Sequence, residues 1–270
     1  MRLPSLSALF LASFLALPAV AEEPVDAAAA EPEAAPEEPV AEPTAAEKAL
    51  AAVPGLYRQR DRAGKAQQAI DLLEAALAEE PDNVELHVQV ARFYFWIGDT
   101  ASSDAQKVQL SKTCWDHAER VKVLAPSRVE GPCWSMACIG THSEGVGILT
   151  AVRQGLAGKF EDNGKKAASI SPNHDSGGPL RGLGRYYFML PWPLQDLDDS
   201  RSYLERAYAA GPDHPRNLAY LADLELDQDN TEAARGYLDK IMAMSESSNA
   251  NPPEVRRQQA WARGKLAELD

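Results

Sequence analysis

The feature that most constrains the fold is a recurring pattern of two leucines one helical turn apart, followed at once by a small residue. It occurs at Leu180, Leu183 and Gly184, and it recurs in residues 218–222 as Leu-Ala-Tyr-Leu-Ala. Residues three or four apart share one face of a helix, and a small residue beside the second leucine lets a partner helix approach closely. The pattern therefore predicts an all-α fold of repeated helical hairpins.

The second helix of each hairpin has its own pattern of small and bulky residues. Ala69, Leu73 and Ala76 follow it, and Ala234 is followed in the same way by apolar residues four and seven positions later. Together the two patterns resemble those of tetratricopeptide repeats, in which two helices pack as a hairpin and successive hairpins stack. We predict tetratricopeptide-like hairpins that form a compact solenoid, and proteins of this kind bind other molecules rather than catalyse reactions.

Prolines mark the ends of the predicted hairpins. Pro81, Pro126, Pro172 and Pro212 each follow a predicted second helix, at intervals of 40 to 46 residues. Proline cannot continue a helix, because it lacks the N–H and its ring clashes with the preceding turn. The intervals exceed the usual repeat of about 34 residues, so insertions are predicted within the hairpins.

The insertions and the limits of the array can be assigned from the residues. A polar stretch at 98–107 and the Pro-Trp-Pro turn at 191–193 account for most of the excess length. About five degenerate hairpins are predicted in residues 47–251. The segment 252–270 is predicted as one amphipathic helix that caps the array, because a terminal repeat must cover its last apolar face.

The first 46 residues differ in composition from the rest. Residues 1–21 combine one arginine, a short apolar run and an Ala-Val-Ala end, which is typical of a cleaved secretory signal peptide. An uncleaved anchor is the alternative. Residues 22–46 are almost entirely Ala, Glu, Pro and Val and predict a disordered acidic tether. We expect an exported, periplasmic and soluble protein, and no cysteine ends the apolar run to carry a lipid anchor.

Charge restricts the class of partner. The formal net charge is -13, although much of the excess lies in the acidic tether. Such a charge argues against binding to nucleic acid and to anionic membranes. A protein partner or a small molecule is expected instead.

The sequence contains three cysteines, Cys114, Cys133 and Cys138. An exported chain meets an oxidising compartment, so a disulfide among them is one interpretation. Buried free cysteines that act as small apolar residues are the other. The spacing matches no common zinc site, and no metal site, cofactor or catalytic motif is predicted. The chain is therefore not expected to be an enzyme.

Aromatic residues concentrate in the predicted first helices, at 93–96 and 186–188. Four consecutive aromatic residues cannot all face one side of a helix, so some must face a neighbouring helix or a cleft. Core packing is one interpretation. Arg181, on a mainly apolar helix, is expected to pair with a carboxylate either inside the fold or on a ligand. If a ligand site exists, its predicted residues are Tyr94, Trp96, Trp134, Arg181, Tyr186, Tyr187 and Trp192.

The central segment resembles one particular family. The run Gly-Gly-Pro-Leu-Arg-Gly-Leu-Gly-Arg-Tyr-Tyr at 177–187 and the Trp-Ser-Met-Ala run that starts at Trp134 are similar to the TatT family. That family consists of periplasmic tetratricopeptide-like components associated with TRAP transporters. The resemblance covers most of residues 60–245, and the parts outside these two runs match only as helical repeats. The missing lipid-attachment cysteine is a departure from the family.

The resemblance implies a function. It predicts an accessory component of a TRAP-type uptake system that forms a trimer, binds an apolar small molecule and docks on a periplasmic substrate-binding protein. A scaffold for protein–protein interaction in the cell envelope, with no small-molecule ligand, is the alternative. An apolar cavity would favour the first hypothesis, and an open polar groove would favour the second.

Overall fold

The computed structural model describes residues 42–270, which form α-helices joined by short turns. The predicted signal peptide and most of the predicted tether lie outside these residues. The helices are α1 (Ala45–Tyr57), α2 (Lys65–Glu79), α3 (Val84–Asp99), α4 (Asp104–Leu124), α5 (Glu130–Val146), α6 (Ile148–Arg153), α7 (Leu156–Ile170), α8 (His174–Met189), α9 (Leu197–Ala210), α10 (Pro215–Asp227), α11 (Thr231–Met242) and α12 (Pro252–Leu269).

These helices confirm the predicted all-α hairpin fold. Five hairpins follow one another as α1/α2, α3/α4, α5/α7, α8/α9 and α10/α11, and α12 packs against α10 and α11. The short helix α6 is inserted in the third hairpin and was not predicted. The array begins slightly earlier than the predicted boundary at residue 47, because Thr44 and Glu47 form a capping box that starts α1 at Ala45. None of the helices in residues 42–270 has the length and hydrophobicity needed to cross a bilayer.

The small residue in the leucine pattern is needed for close helix packing. A Cβ atom on Gly184 would lie 2.6 Å from Leu204 Cγ and 3.1 Å from the Leu204 backbone nitrogen. Leu183 beside it is fully buried. Glycine at position 184 therefore allows α8 and α9 to pack closely. A larger side chain there would clash with Leu204 and push the two helices apart.

The start of α8 has an unusual backbone. Asp175, Ser176 and Gly177 have φ values of 48°, 55° and 83°, in the left-handed region that side chains disfavour. A Cβ on Gly177 would lie 2.8 Å from the carbonyl oxygen of Ala207. Glycine is required at this position by both conformation and space.

The cysteine alternatives are decided by the tertiary structure. Cys114 on α4 and Cys138 on α5 form a disulfide, with their Cα atoms 5.8 Å apart. Cys133 is free and buried. Cys133 and Cys138, the pair closest in sequence, both lie within α5 and do not pair with each other.

The array curves far enough for its two ends to meet. Arg60, in the turn after α1, donates through Nη2 to Asn251 Oδ1 at 2.6 Å. Arg256 on α12 donates to both oxygens of Asp61 at 2.6 and 2.8 Å. These contacts join residues 191 and 195 positions apart in the chain. The solenoid therefore closes around its own axis, through the summed rotations of successive hairpins.

Candidate functional site

Closure of the solenoid leaves a partly open cavity along its axis, with a volume of about 140 Å³. The first helices of the hairpins and α12 supply most of the wall. The aromatic wall residues are Tyr57, Phe95, Trp96, Trp134, Phe160 and Tyr220. The charged wall residues are Arg60, Asp99, Glu144, Asp175, Arg181, Arg185, Arg216 and Glu254. The cavity thus combines aromatic surface with charged groups, whereas the TatT resemblance predicted an apolar ligand.

Three of the predicted ligand residues line this cavity. Trp96 is buried and its ring lies 4.1 Å from the guanidinium carbon of Arg60. Trp134 packs against Phe95, with ring centroids 5.6 Å apart. Arg181 also lies in the wall. The structure therefore brings together one part of the predicted set, from α3, α5 and α8.

The other four predicted residues lie elsewhere. Tyr94 donates a hydrogen bond to Glu74 at 2.7 Å between α3 and α2. Tyr187 donates to Glu161 on α7 at 2.8 Å, and Tyr186 lines a separate groove beside α6. Trp192 lies in the loop after α8 and is 88% exposed. None of these four side chains is among the residues that line the central cavity.

Arg181 stabilises the left-handed turn. Its Nη2 donates to Asp175 Oδ2 at 2.9 Å, and its Nη1 donates to Asn217 Oδ1 at 3.0 Å. Asn217 in turn donates to the carbonyl oxygen of Ser176 at 3.0 Å. Desolvation would raise the pKa of Asp175, but the charge of Arg181 and smaller contributions from other cationic neighbours together outweigh it and lower that pKa below its usual value. Arg181 thus pairs inside the fold, and this pairing compensates for the strain of the turn.

A second cluster of charged residues connects α3 with α10 and α12. Arg216 on α10 donates to both carboxylate oxygens of Glu254 at 2.7 and 2.9 Å. It also donates to Asp99 at 3.0 Å, and Arg257 pairs with the same carboxylate. Burial alone would raise the pKa of Glu254, yet the charge and hydrogen bonds of Arg216, together with Arg257 and Gln258, hold it well below its ordinary range. This network is buried and paired, as a charge removed from water requires.

Sequence reasoning missed this second cluster. Arg216 and Glu254 lie in the first turns of α10 and α12, and Arg257 lies in the second turn of α12; charged residues are common at such positions. Asp99 ends α3, more than a hundred residues earlier. No local sequence pattern connects these positions, so only the tertiary structure shows that their side chains form one cluster.

An apolar region on the outer surface of residues 42–270 is named the Trp192 surface. It consists of Met189, Trp192 and Leu194, all exposed, and the groove beside Met189. The groove has a volume of about 90 Å³ and is formed by α5, α6, α7 and α8, with walls that include Ile148, Val152, Phe160, Tyr186 and Leu190. Three exposed carboxylates follow in the chain, at Asp196, Asp198 and Asp199.

Two titratable groups near the cavity, Cys133 and His214, have pKa values far from neutrality. Burial raises the pKa of the Cys133 thiol to about 12. Burial, followed by the charge of Arg181, lowers the pKa of His214 to about 3. Cys133 is therefore a thiol and His214 is neutral at pH 7. No group of three metal-binding side chains occurs in residues 42–270. The expectation that the chain is not an enzyme stays a prediction.

Comparison with known proteins supports the fold. The family model described as tetratricopeptide repeat matches residues 62–105, which span α2, α3 and the start of α4. No curated protein sequence matches the chain significantly. The structure is similar to a thermophilic tetratricopeptide repeat protein from Thermus thermophilus, with a TM-score of 0.61 and 19% identity over 80% of this chain and 97% of that one.

Other solved structures resemble the chain less closely. The MamA protein matches with a TM-score of 0.42 and 13% identity, over 72% of this chain and 91% of its own length. A tetratricopeptide repeat protein from Parabacteroides merdae matches with a TM-score of 0.35 and 16% identity, over 77% and 84% of the two chains. The hairpin order, the matched repeat and the Thermus thermophilus structure together show that this chain has the tetratricopeptide-type helical-repeat fold.

Proposed function

We propose that this chain is an exported binding protein that holds a protein partner at the Trp192 surface. The observation that carries the proposal is the 88% exposure of Trp192 on a loop that lengthens the fourth hairpin. Large apolar side chains that remain exposed together, with polar residues around them, are typical of interaction sites. The repeat fold supports the same class of function, because stacked hairpins present extended surfaces to partners.

The energetics favour Trp192 as the centre of such an interface. Tryptophan buries about 150–250 Å² when it is covered, which corresponds to roughly 4–6 kcal/mol of gross transfer free energy. Tryptophan is accordingly enriched among the residues that dominate binding energy. The groove beside Met189 would accept an apolar side chain of the partner. Asp196, Asp198 and Asp199 favour a partner whose contact surface is apolar with a basic rim.

The location in the cell envelope is part of this proposal. It depends on the predicted signal peptide in residues 1–21, which lie outside the described part of the chain. A role as accessory component of a TRAP-type uptake system is the second candidate. The cavity of about 140 Å³ and its aromatic wall residues support it, since such a component needs space for a small molecule. In that case the partner would be a periplasmic substrate-binding protein.

The proposal can be tested by comparing two exposed apolar residues. Trp192→Ala removes the centre of the proposed interface, and Val123→Ala changes a residue on α4 that is 70% exposed. Tagged wild-type protein and both variants would be purified from cross-linked cells of the source organism, and bound proteins would be quantified by mass spectrometry. We expect one partner to be recovered equally with wild type and Val123→Ala, and at least about tenfold less with Trp192→Ala.

The outcome also separates the two candidate roles. Recovery of a substrate-binding protein of an uptake system would favour the accessory role, and recovery of another envelope protein would favour the scaffold. Equal recovery of every bound protein with all three baits would contradict docking at the Trp192 surface. Native mass spectrometry of the same samples would test the predicted trimer.

A further inference from the structure

Arg60 differs from every other charged residue in the wall of the central cavity. It lies in the turn between α1 and α2 and is only 3% exposed. Its guanidinium carbon lies 3.8 Å from the ring centroid of Tyr57 and 4.1 Å from that of Trp96. The two aromatic faces attract the cation, but neither ring carries a compensating negative charge.

Most of the hydrogen-bonding capacity of Arg60 is unused. Its Nη1 donates to the carbonyl oxygen of Tyr57 at 2.9 Å, and its Nη2 donates to Asn251 Oδ1 at 2.6 Å. Its Nε is buried and has no partner in residues 42–270. A guanidinium carries five N–H donors, so three of them lack an acceptor in the described part of the chain.

The other arginines of the cavity wall are paired. Each has a carboxylate oxygen within 3 Å, in the pairs Arg181–Asp175, Arg185–Asp223 and Arg216–Glu254. Arg60 has no ion-pair partner among residues 42–270. Its neighbour across the Tyr57 ring is another arginine, Arg92, whose guanidinium carbon lies 3.4 Å from the ring centroid. Glu254 attracts Arg60 at longer range but already forms an ion pair with Arg216, so no carboxylate at this end of the cavity is dedicated to Arg60.

Burial of an unpaired cation is costly, and the attraction of the Tyr57 and Trp96 rings offsets only part of that cost. Burial lowers the pKa of Arg60, yet an arginine side chain remains protonated in proteins. An anion that bonds the free Nε–H and Nη–H groups would satisfy both the charge and the donors. His214 adds a second polar group to the wall, since its buried Nδ1 also has no partner.

Cavity size and wall chemistry restrict the anion. A cavity of about 150 Å³ holds benzene, which has six non-hydrogen atoms, and the central cavity has a volume of about 140 Å³. The wall contributes aromatic surface from Trp96, Trp134 and Phe95. An inorganic ion would leave this apolar surface uncovered. A carboxylate with a compact apolar body would match both parts of the wall.

We propose that the central cavity binds a small monocarboxylate of about six non-hydrogen atoms, whose carboxylate pairs with Arg60 and whose apolar body packs against the tryptophan rings of the wall. The cavity and the groove of the Trp192 surface share Phe160 and Arg185, but Arg60 lines only the cavity. Either proposal can therefore fail while the other stands.

Isothermal titration calorimetry on the mature chain tests the proposal with two ligands of equal size. Isobutyrate carries the carboxylate, and isobutyramide has the same shape without the charge. The variants are Arg60→Gln and, as a matched control, Arg58→Gln at an exposed arginine two residues away. We expect isobutyrate to bind wild type and Arg58→Gln equally, and to bind at least about tenfold more tightly than isobutyramide. Arg60→Gln should weaken isobutyrate binding by about tenfold to a hundredfold.

A second measurement is needed in case the Arg60→Gln variant does not fold. If Arg60→Gln does not fold, as judged by circular dichroism, the wild-type comparison of acid and amide is combined with a crystal structure of the isobutyrate complex. That structure should show a carboxylate oxygen within hydrogen-bond distance of Arg60. An acetylated tripeptide acid ending in valine tests whether a chain terminus, rather than a free acid, supplies the carboxylate.

Four results would overturn the proposal. They are equal binding of acid and amide, unchanged binding of isobutyrate by Arg60→Gln, no binding of isobutyrate at millimolar concentration, and binding of the tripeptide acid without binding of isobutyrate. The second result would place the anion elsewhere, and the fourth would assign the cavity to a peptide terminus.

Discussion

In most proteins charged residues are exposed and large apolar residues are buried. The wall of the central cavity contains buried charges and the Trp192 surface contains exposed apolar residues, and the two departures have different physical reasons. In the cavity wall, Glu254 is 2% exposed and is compensated by Arg216 inside the fold. On the outer surface, Trp192 is exposed and no described residue covers it. A buried charge that is paired within the chain is part of the folded structure. An exposed apolar residue that no other residue of the chain covers is available to another molecule.

Among the charged residues of this comparison, the largest expected effect on stability is on the inner side, at Glu254. Glu254→Gln leaves Arg216 buried with reduced compensation, and breaking a buried ion pair costs about 3–5 kcal/mol. We expect the free energy of unfolding, measured with urea, to fall by about 3 kcal/mol. Glu268→Gln is the control, because Glu268 is exposed in its pair with Lys265 and should change stability by less than about 0.5 kcal/mol. Similar losses for the two variants would show that closure does not depend on the buried pair.

The turn that holds Asp175 in the cavity wall gives the next effect. Gly177→Ala adds a Cβ close to the Ala207 backbone and imposes a left-handed φ on alanine. We expect a loss of about 2–3 kcal/mol in thermal or urea unfolding. Gly264→Ala, on α12 with open space around the added atom, should instead stabilise by about 0.5–1 kcal/mol. A neutral Gly177→Ala would mean that the turn is not constrained.

The cavity wall should also make stability depend on pH. The unfolded chain protonates His214 near the ordinary pKa of 6.5, but the folded chain does so only near the lowered pKa of about 3. The contribution of His214 is therefore full above about pH 6.5 and is lost as the pH falls toward 3. Between about pH 6 and pH 4, wild type should lose up to about 2 kcal/mol more than His214→Asn. Parallel pH profiles for the two proteins would contradict this burial of a neutral histidine.

The smallest effect on stability is expected on the outer side. Trp192→Ala should change the free energy of unfolding by less than about 0.5 kcal/mol, because its side chain has little to lose on unfolding. Trp96→Ala, on the inner side, should cost about 3–5 kcal/mol. Urea unfolding of both variants measures the contrast directly. A large loss for Trp192→Ala would mean that the loop contributes to the core and would weaken its assignment as a docking surface.

Much of the fold could be predicted from local patterns. As predicted, the prolines at 81, 126, 172 and 212 follow the second helices α2, α4, α7 and α9. The helix α6 was missed because its six residues carry no periodic signal. Its neighbour Gly147, with φ of 85°, separates it from α5.

The candidate site could be predicted only in part. Trp96 and Trp134 were selected because they are aromatic residues on first helices, and first helices face the axis of the solenoid. The same reasoning selected Tyr94 and Tyr187, whose side chains bond to second helices instead. A helical position alone does not specify which neighbour a side chain meets, because that depends on how the next hairpin is rotated.

The sequence by itself determined the elements: their type, their order and the small residues that let helices pack. These depend on contacts between residues three or four apart, or within one hairpin, and such contacts leave a periodic pattern. Only the tertiary structure decided the closure of the solenoid, the partner of Cys138, the pairing of Glu254 and the isolation of Arg60. Each depends on the rotation accumulated over several hairpins, and no single repeat records that sum.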